Sequence, residues 1–139
     1  MANTIDMKDL RHLNLFQKIT QIRTRHIFNY NDMVYFCVPK NLLSKALGKD
    51  VENLRKISGI VKKRIRVIPI PKGPEHAKDF VRAVVDPVQF KEIEVTPTEI
   101  IVKAGTVQNK AGLLGRNKKR LEDMKKIIQN YFQKEYRIE

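Results

Sequence analysis

Cysteine is almost absent from this sequence. Cys37 is the single cysteine in 139 residues, which excludes an internal disulfide and any multi-cysteine zinc site. No apolar run approaches the ~18–20 residues that a membrane span requires. The opening Met1-Ala2-Asn3-Thr4-Ile5-Asp6 has neither a basic stretch nor an apolar core, so no secretory leader is expected and a cytoplasmic location is the default. Histidine is sparse as well: His12, His26 and His76 fall on separate elements, with no serine or cysteine placed beside them as a nucleophile. No carboxylate cluster suits Mg²⁺ or Zn²⁺. An enzyme is therefore not expected, nor a cofactor, a bound metal or a small-molecule substrate. Acidic residues are few, 15 against 28 basic ones, and the net charge of +13 points to nucleic acid. A membrane surface is the poorer match, because no helix combines a strongly basic face with a bulky aromatic one.

What is present reads as an α+β chain. Met7, Leu10, Leu13, Phe16 and Ile19 line one side of a helix over residues 6–20. Strands are expected over 23–30 and 33–38, with Asn31-Asp32 as the turn between them. A short helix over 41–47 follows, then a break at Gly48-Lys49-Asp50-Val51, a helix over 52–61 and an alternating strand over 64–68. Pro69-Ile70-Pro71-Lys72-Gly73-Pro74 cannot continue a central strand or a helix and reads as a linker. Beyond it the same order recurs. A helix from Ala77 is closed by Asp86-Pro87, and strands are expected over 88–95 (with a bulge at Glu92) and 99–103. A short helix over 106–111, a glycine-marked turn at Gly112–Gly115, a long helix to about Phe132 and a strand over 136–138 complete the chain.

The two halves correspond at a constant offset of 64, which sets Gly48 on Gly112, Val51 on Gly115, Asn53 on Asn117, Arg55 on Lys119, Lys56 on Arg120 and Ile57 on Leu121. Two tandem modules are expected, 1–72 and 73–139. Ala-Gly-Leu-Leu-Gly-Arg-Asn-Lys-Lys-Arg-Leu (111–121) is the most telling stretch. Arg116, Lys118, Lys119 and Arg120 crowd the positive end of a helix dipole, where each cation costs about 0.3–1 kcal/mol. A phosphate chain lying across that helix start would offset the mismatch. Leu113 and Leu114 make apolar contact with sugar or base, or else pack into the protein. Lys49 alone faces a phosphate favourably in the first module, where Asp50 repels it and Val51 suits a φ > 0 turn poorly. Residues 1–72 nonetheless hold 15 basic and 5 acidic side chains against 13 and 10 over 73–139. Arg23, Arg25, Arg55, Lys56, Lys62, Lys63, Arg64 and Arg66 can extend a basic track from the first module.

An α-β-β-α-α-β unit whose central helices are joined by Gly-x-x-Gly resembles the type II KH domain, whose loop clamps about four nucleotides of backbone. Two such units with a leading helix and a proline-rich joint resemble the short archaeal proteins related to NusA, a transcription elongation and termination factor. The resemblance departs from the family at Val51, which stands at the fourth loop position, and at Leu113 and Leu114, where Lys or Arg is favoured. Sequences like the larger bacterial factor's polymerase-binding and S1 domains are absent. The resemblance implies single-stranded RNA as ligand, with RNA polymerase as a further partner. The RNA-binding residues it implies are Gly112, Leu113, Leu114, Gly115, Arg116, Asn117, Lys118, Lys119 and Arg120, with Gly48, Lys49, Asn53, Arg55 and Lys56 in the first module. An RNA chaperone or ribosome-associated protein built from the same modules is an alternative, as is a protein-interaction module that has lost RNA binding.

Overall fold

A computed structural model describes residues 6–139, so Met1–Ile5, read above as lacking a leader, lie outside the described residues. The chain divides into two compact units between Ile70 and Pro71, inside the proline-rich stretch and two residues before the expected boundary.

The first unit opens with α1 (Met7–Thr20), whose start is capped by the Asp6 carboxylate accepting from the Asp9 N–H at 2.7 Å. Its apolar side delivers Leu13 and Phe16 to the core, and the Phe16 ring stacks on Phe36 at 4.4 Å. Burying a side chain of that size stabilises the fold by about 1.5–3 kcal/mol. β1 (His26–Tyr30) and β2 (Met33–Val38) form an antiparallel hairpin. Asn31 and Asp32, at φ 53° and 60°, make its two-residue turn, as their tolerance of left-handed backbone allows. A short turn leads into α2 (Leu43–Leu47), then α3 (Glu52–Val61), and β3 (Ile65–Pro69) returns parallel to β2. Val34, Phe36 and Val38 face the helices, with Ile57 of α3 buried against them. On the opposite face of the sheet Tyr35 stacks on Phe28 at 4.9 Å, beneath the Arg66 guanidinium.

The second unit repeats this order. Pro74 begins a single turn before α4 (Ala77–Val85), which buries Phe80, Val81 and Val84. β4 (Glu92–Val95) and β5 (Glu99–Lys103) pair antiparallel, α5 (Val107–Leu114) and α6 (Lys119–Phe132) follow, and β6 (Glu135–Ile138) lies parallel to β5. Each unit is thus a three-stranded mixed sheet with a helix pair in its parallel crossover, and the protein is a two-domain α+β fold.

Three sequence expectations are corrected here. The first strand starts at His26 instead of Arg23. Residues 88–91 precede β4 instead of belonging to it, and no bulge falls at Glu92, which pairs in register with Lys103. The short helix of the second unit starts one residue later than expected and runs on to Leu114, straight through Gly112.

Candidate functional site

The feature common to both units is the reversal between the two crossover helices. In the first, α2 ends and Gly48 takes φ 76°, ψ 178°, a conformation open to glycine almost alone. Asp50 (φ 53°, ψ 36°) and Val51 (φ 52°, ψ 30°) then lie in the left-handed region before α3 begins. In the second, Gly115 takes φ 75°, ψ 176°, followed by Asn117 (φ 56°, ψ 29°) and Lys118 (φ 59°, ψ 26°) before α6. The two turns share one backbone conformation, although their sequences are Gly-Lys-Asp-Val and Gly-Arg-Asn-Lys.

The turn expected at Gly112–Gly115 therefore lies at Gly115–Lys118, and the repeat offset is 67. At that offset Gly48 falls on Gly115, Lys49 on Arg116, Asp50 on Asn117, Leu54 on Leu121 and Ile57 on Met124. Gly112 serves packing instead. A Cβ there would meet Val88 Cγ1 at 3.1 Å, so the glycine lets the helix lie close to that side chain. Leu113 is 2% exposed and belongs to the core; Leu114 is half-buried at the last helical position. Neither stands in the loop middle, where Arg116 and Asn117 are found.

Each turn is braced from behind by the same bond. Asn53 Nδ2 donates to the Lys45 carbonyl at 3.3 Å, and Arg120 Nη1 donates to the Gly112 carbonyl at 3.0 Å. These four residues also correspond at offset 67. Asn53 and Arg120, both expected to contact ligand, thus hold the two helices together across the turn. Arg120 lies so close over Gly115 that a Cβ there would be 2.6 Å from its Cγ.

Lys49, Asp50, Val51, Arg116, Asn117, Lys118 and Lys119 are exposed on the turns. Val51, β-branched and left-handed, is held in a conformation that costs on the order of 1–3 kcal/mol. Asp6 caps α1 and Thr106 caps α5, but no side chain caps the first turn of α3 or α6. The amide groups at those two helix starts are left to solvent or to an anion. Of the remaining expected residues, Arg55 lies a turn further along α3, and Lys56 pairs with Glu52 at 3.4 Å.

The units differ in how their other charges are used. In the second, Lys103 pairs with Glu92 at 3.1 Å, Arg137 with Glu99 at 3.4 Å and Lys125 with Glu122 at 3.6 Å. In the first, Arg23, Arg25, Arg55, Lys62 and Arg64 have no ion-pair partner among the described residues. Its excess positive charge is left outward-acting. His12 and His26 both have pKa values pushed below the usual imidazole range, chiefly by burial, with Lys8 adding to the effect at His12. Cys37 is buried in β2 as a small core residue. No helix among the described residues is long and apolar enough to cross a membrane.

The fold defines a class of protein, a tandem pair of like α+β domains. No family model and no curated protein matches the chain. Among solved structures it is similar to the crystal structure of APE1850, with a TM-score of 0.66 and 19% identity over 97% of this chain and 100% of that one. At that identity the likeness concerns the fold alone.

Proposed function

We propose that the two units are type II KH domains and that the protein binds single-stranded RNA, as a factor resembling the NusA-like transcription elongation and termination proteins. The observation that carries this reading is the shared turn. A glycine followed by two left-handed residues reverses the chain between two helices at the same place in each unit, and the helix beyond it has no side-chain cap. Such a turn brings main-chain N–H groups and a helix start to one spot, the arrangement that receives a phosphate. Arg116 and Lys118 add charge around the second turn, and Lys49 does so at the first. In this reading Arg116 and Asn117 reach towards the sugar-phosphate path, Asn53 and Arg120 keep the turn in shape, and Leu113 stays in the core. The protein's role is to hold a strand, with no bond made or broken. The unpaired cations of the first unit supply long-range attraction, while the second unit has the more favourable turn.

The test is a titration of a single-stranded oligoribonucleotide and of the matching duplex at several salt concentrations. Preference for the single strand and a steep salt slope are expected, and Arg116→Asp with Asn117→Asp should abolish most of the affinity. Equal affinity for duplex, or no effect of the double substitution, would refute the reading.

A further inference from the structure

The first helix presents an outward face that neither turn uses. Met7 and Leu10, read from sequence with the core stripe, are 68% and 47% exposed, while Leu13, Phe16 and Thr20 of the same helix are buried. On the side of α1 turned away from that core, Arg11, Asn14, Gln17 and Lys18 are exposed as well. Asn14, Gln17 and Lys18, with Gln21, the left-handed residue that ends the helix, line a concavity of about 560 Å³.

The order of these side chains is specific. Met7, Leu10, Asn14, Gln17 and Gln21 follow one another at alternate steps of three and four residues, the seam spacing of paired helices. Two aliphatic side chains occupy the first turn of this seam, and three carboxamides occupy the rest. Arg11 and Lys18 each stand one residue after a seam position, on the same flank, seven residues or about 10 Å apart. Neither has an ion-pair partner among the described residues. The seam itself carries no carboxylate: Asp6 is engaged in capping α1, and Asp9 is half-buried on the core side. Leu13 and Thr20, which would form the other flank, are buried. A helix laid on this seam therefore meets charge along one side only.

We infer that the outward face of α1 receives an acidic amphipathic helix of a partner protein, which packs aliphatic side chains on Met7 and Leu10 and sets two carboxylates, seven residues apart, against Arg11 and Lys18. Charges beside such a seam decide which helix pairs with it, and a polar residue at a seam position, here Asn14, fixes the register. A guanidinium fork matches a carboxylate bidentately, which favours glutamate opposite Arg11. A second copy of this chain is the poorer occupant. Antiparallel pairing of the face with itself sets Arg11 and Lys18 against the same cations of the other copy, and parallel pairing sets them against the buried Leu13 and Thr20. An RNA strand suits the face less well too, since Met7 and Leu10 have no counterpart on phosphate and no exposed aromatic ring of α1 is there for a base to stack on.

The probe is a fluorescein-labelled 21-residue peptide with isoleucine and leucine at the two seam positions of each heptad and glutamate at both flanking positions. It is titrated into the full chain beside the same peptide with lysine for glutamate, and octauridylate is titrated in parallel. Saturable binding of the glutamate peptide is expected, at least about tenfold tighter than that of the lysine peptide and weaker at high salt. Asn14→Glu should reduce it at least about tenfold. Arg11→Glu with Lys18→Glu should make the lysine peptide the tighter of the two. Both variants change exposed side chains only, so the melting temperature should stay the same, and octauridylate binding should change less than about twofold. Lys78→Glu with Lys126→Glu, an equal charge reversal on exposed positions of the second unit, should change peptide binding less than about twofold. Absence of saturable binding at millimolar peptide overturns the inference, as does an equal loss from the two double reversals, which would reduce it to net charge. Octauridylate binding lost in step with peptide binding gives the face to RNA, and a dimer of the free chain that Asn14→Glu dissociates gives it to a second copy; either result overturns the inference. Failure of octauridylate to bind any of these proteins bears on the RNA reading alone.

Discussion

Substituting alanine separately at Gly115 and Gly112 distinguishes a turn at 115–118 from one at 112–115. Gly115 has φ 75° and ψ 176°, so an alanine there is strained by on the order of 1–3 kcal/mol before any contact is considered. Its Cβ would also sit 2.6 Å from Arg120 Cγ. Arg120 must then swing away, and its hydrogen bond to the Gly112 carbonyl is weakened or lost. That bond involves a partly exposed charge, so about 0.5–1 kcal/mol is a reasonable share. The total expected for Gly115→Ala is about 1.5–4 kcal/mol, a fall in melting temperature of about 6–32 °C if the second unit melts as a domain of 60–100 residues. Gly112→Ala has two opposing effects. Alanine gains about 0.5–1 kcal/mol over glycine inside a helix, and the new methyl presses on Val88 at 3.1 Å, which must give by a few tenths of an ångström. A net change within about 1 kcal/mol is expected. The assay is thermal and urea denaturation followed by circular dichroism. If Gly112→Ala costs more than Gly115→Ala, the reversal lies at 112–115 and the structural assignment is wrong.

Other substitutions follow from the same structure. Leu113→Ala should destabilise the second unit by about 2–5 kcal/mol in denaturant, as for a fully buried leucine, whereas Leu114→Ala at the half-buried next position should cost clearly less. His12 and His26 have depressed pKa values in the folded chain, so the unfolded chain binds more protons below the ordinary value of 6.5. Stability is therefore complete above that value and falls as the pH drops below it, and the melting temperature should decline from pH 7 to pH 5. His26→Gln should flatten part of that decline, and an unchanged slope in the variant would exclude His26 as a source.

Much of the architecture was legible because hydrophobic period and breakers agreed. The span of α3 at 52–61 followed from Leu54, Ile57 and Val61 between a glycine break and the lysines beyond, and the hairpin followed from Asn31-Asp32 between two apolar runs. The turn of the second unit reads three residues early from sequence for a definable reason. Gly112 and Gly115 are both glycines, but one is there for close packing and the other for its torsion angles, and composition does not separate those demands. The usable clue was longer in range. At an offset of 67 the apolar series Ala46, Ile57 and Val61 falls on Leu113, Met124 and Ile128, and Asp50 falls on Asn117, the residue types that best tolerate a left-handed backbone. The bracing by Arg120 was not legible, since a basic residue beside a glycine-rich turn reads first as a ligand contact.

The coincidence of the two turn backbones has a consequence for how such a protein can diversify. Lys49-Asp50 and Arg116-Asn117 occupy equivalent places on one conformation, so the side chains there are interchangeable without new torsion angles. Successive substitutions can shift the charge of one copy from cationic to near-neutral while the other copy keeps its own, and neither exchange asks the surrounding helices to move. A duplicated module of this kind behaves like a pair of sockets with a common thread, each free to be fitted for a different grip.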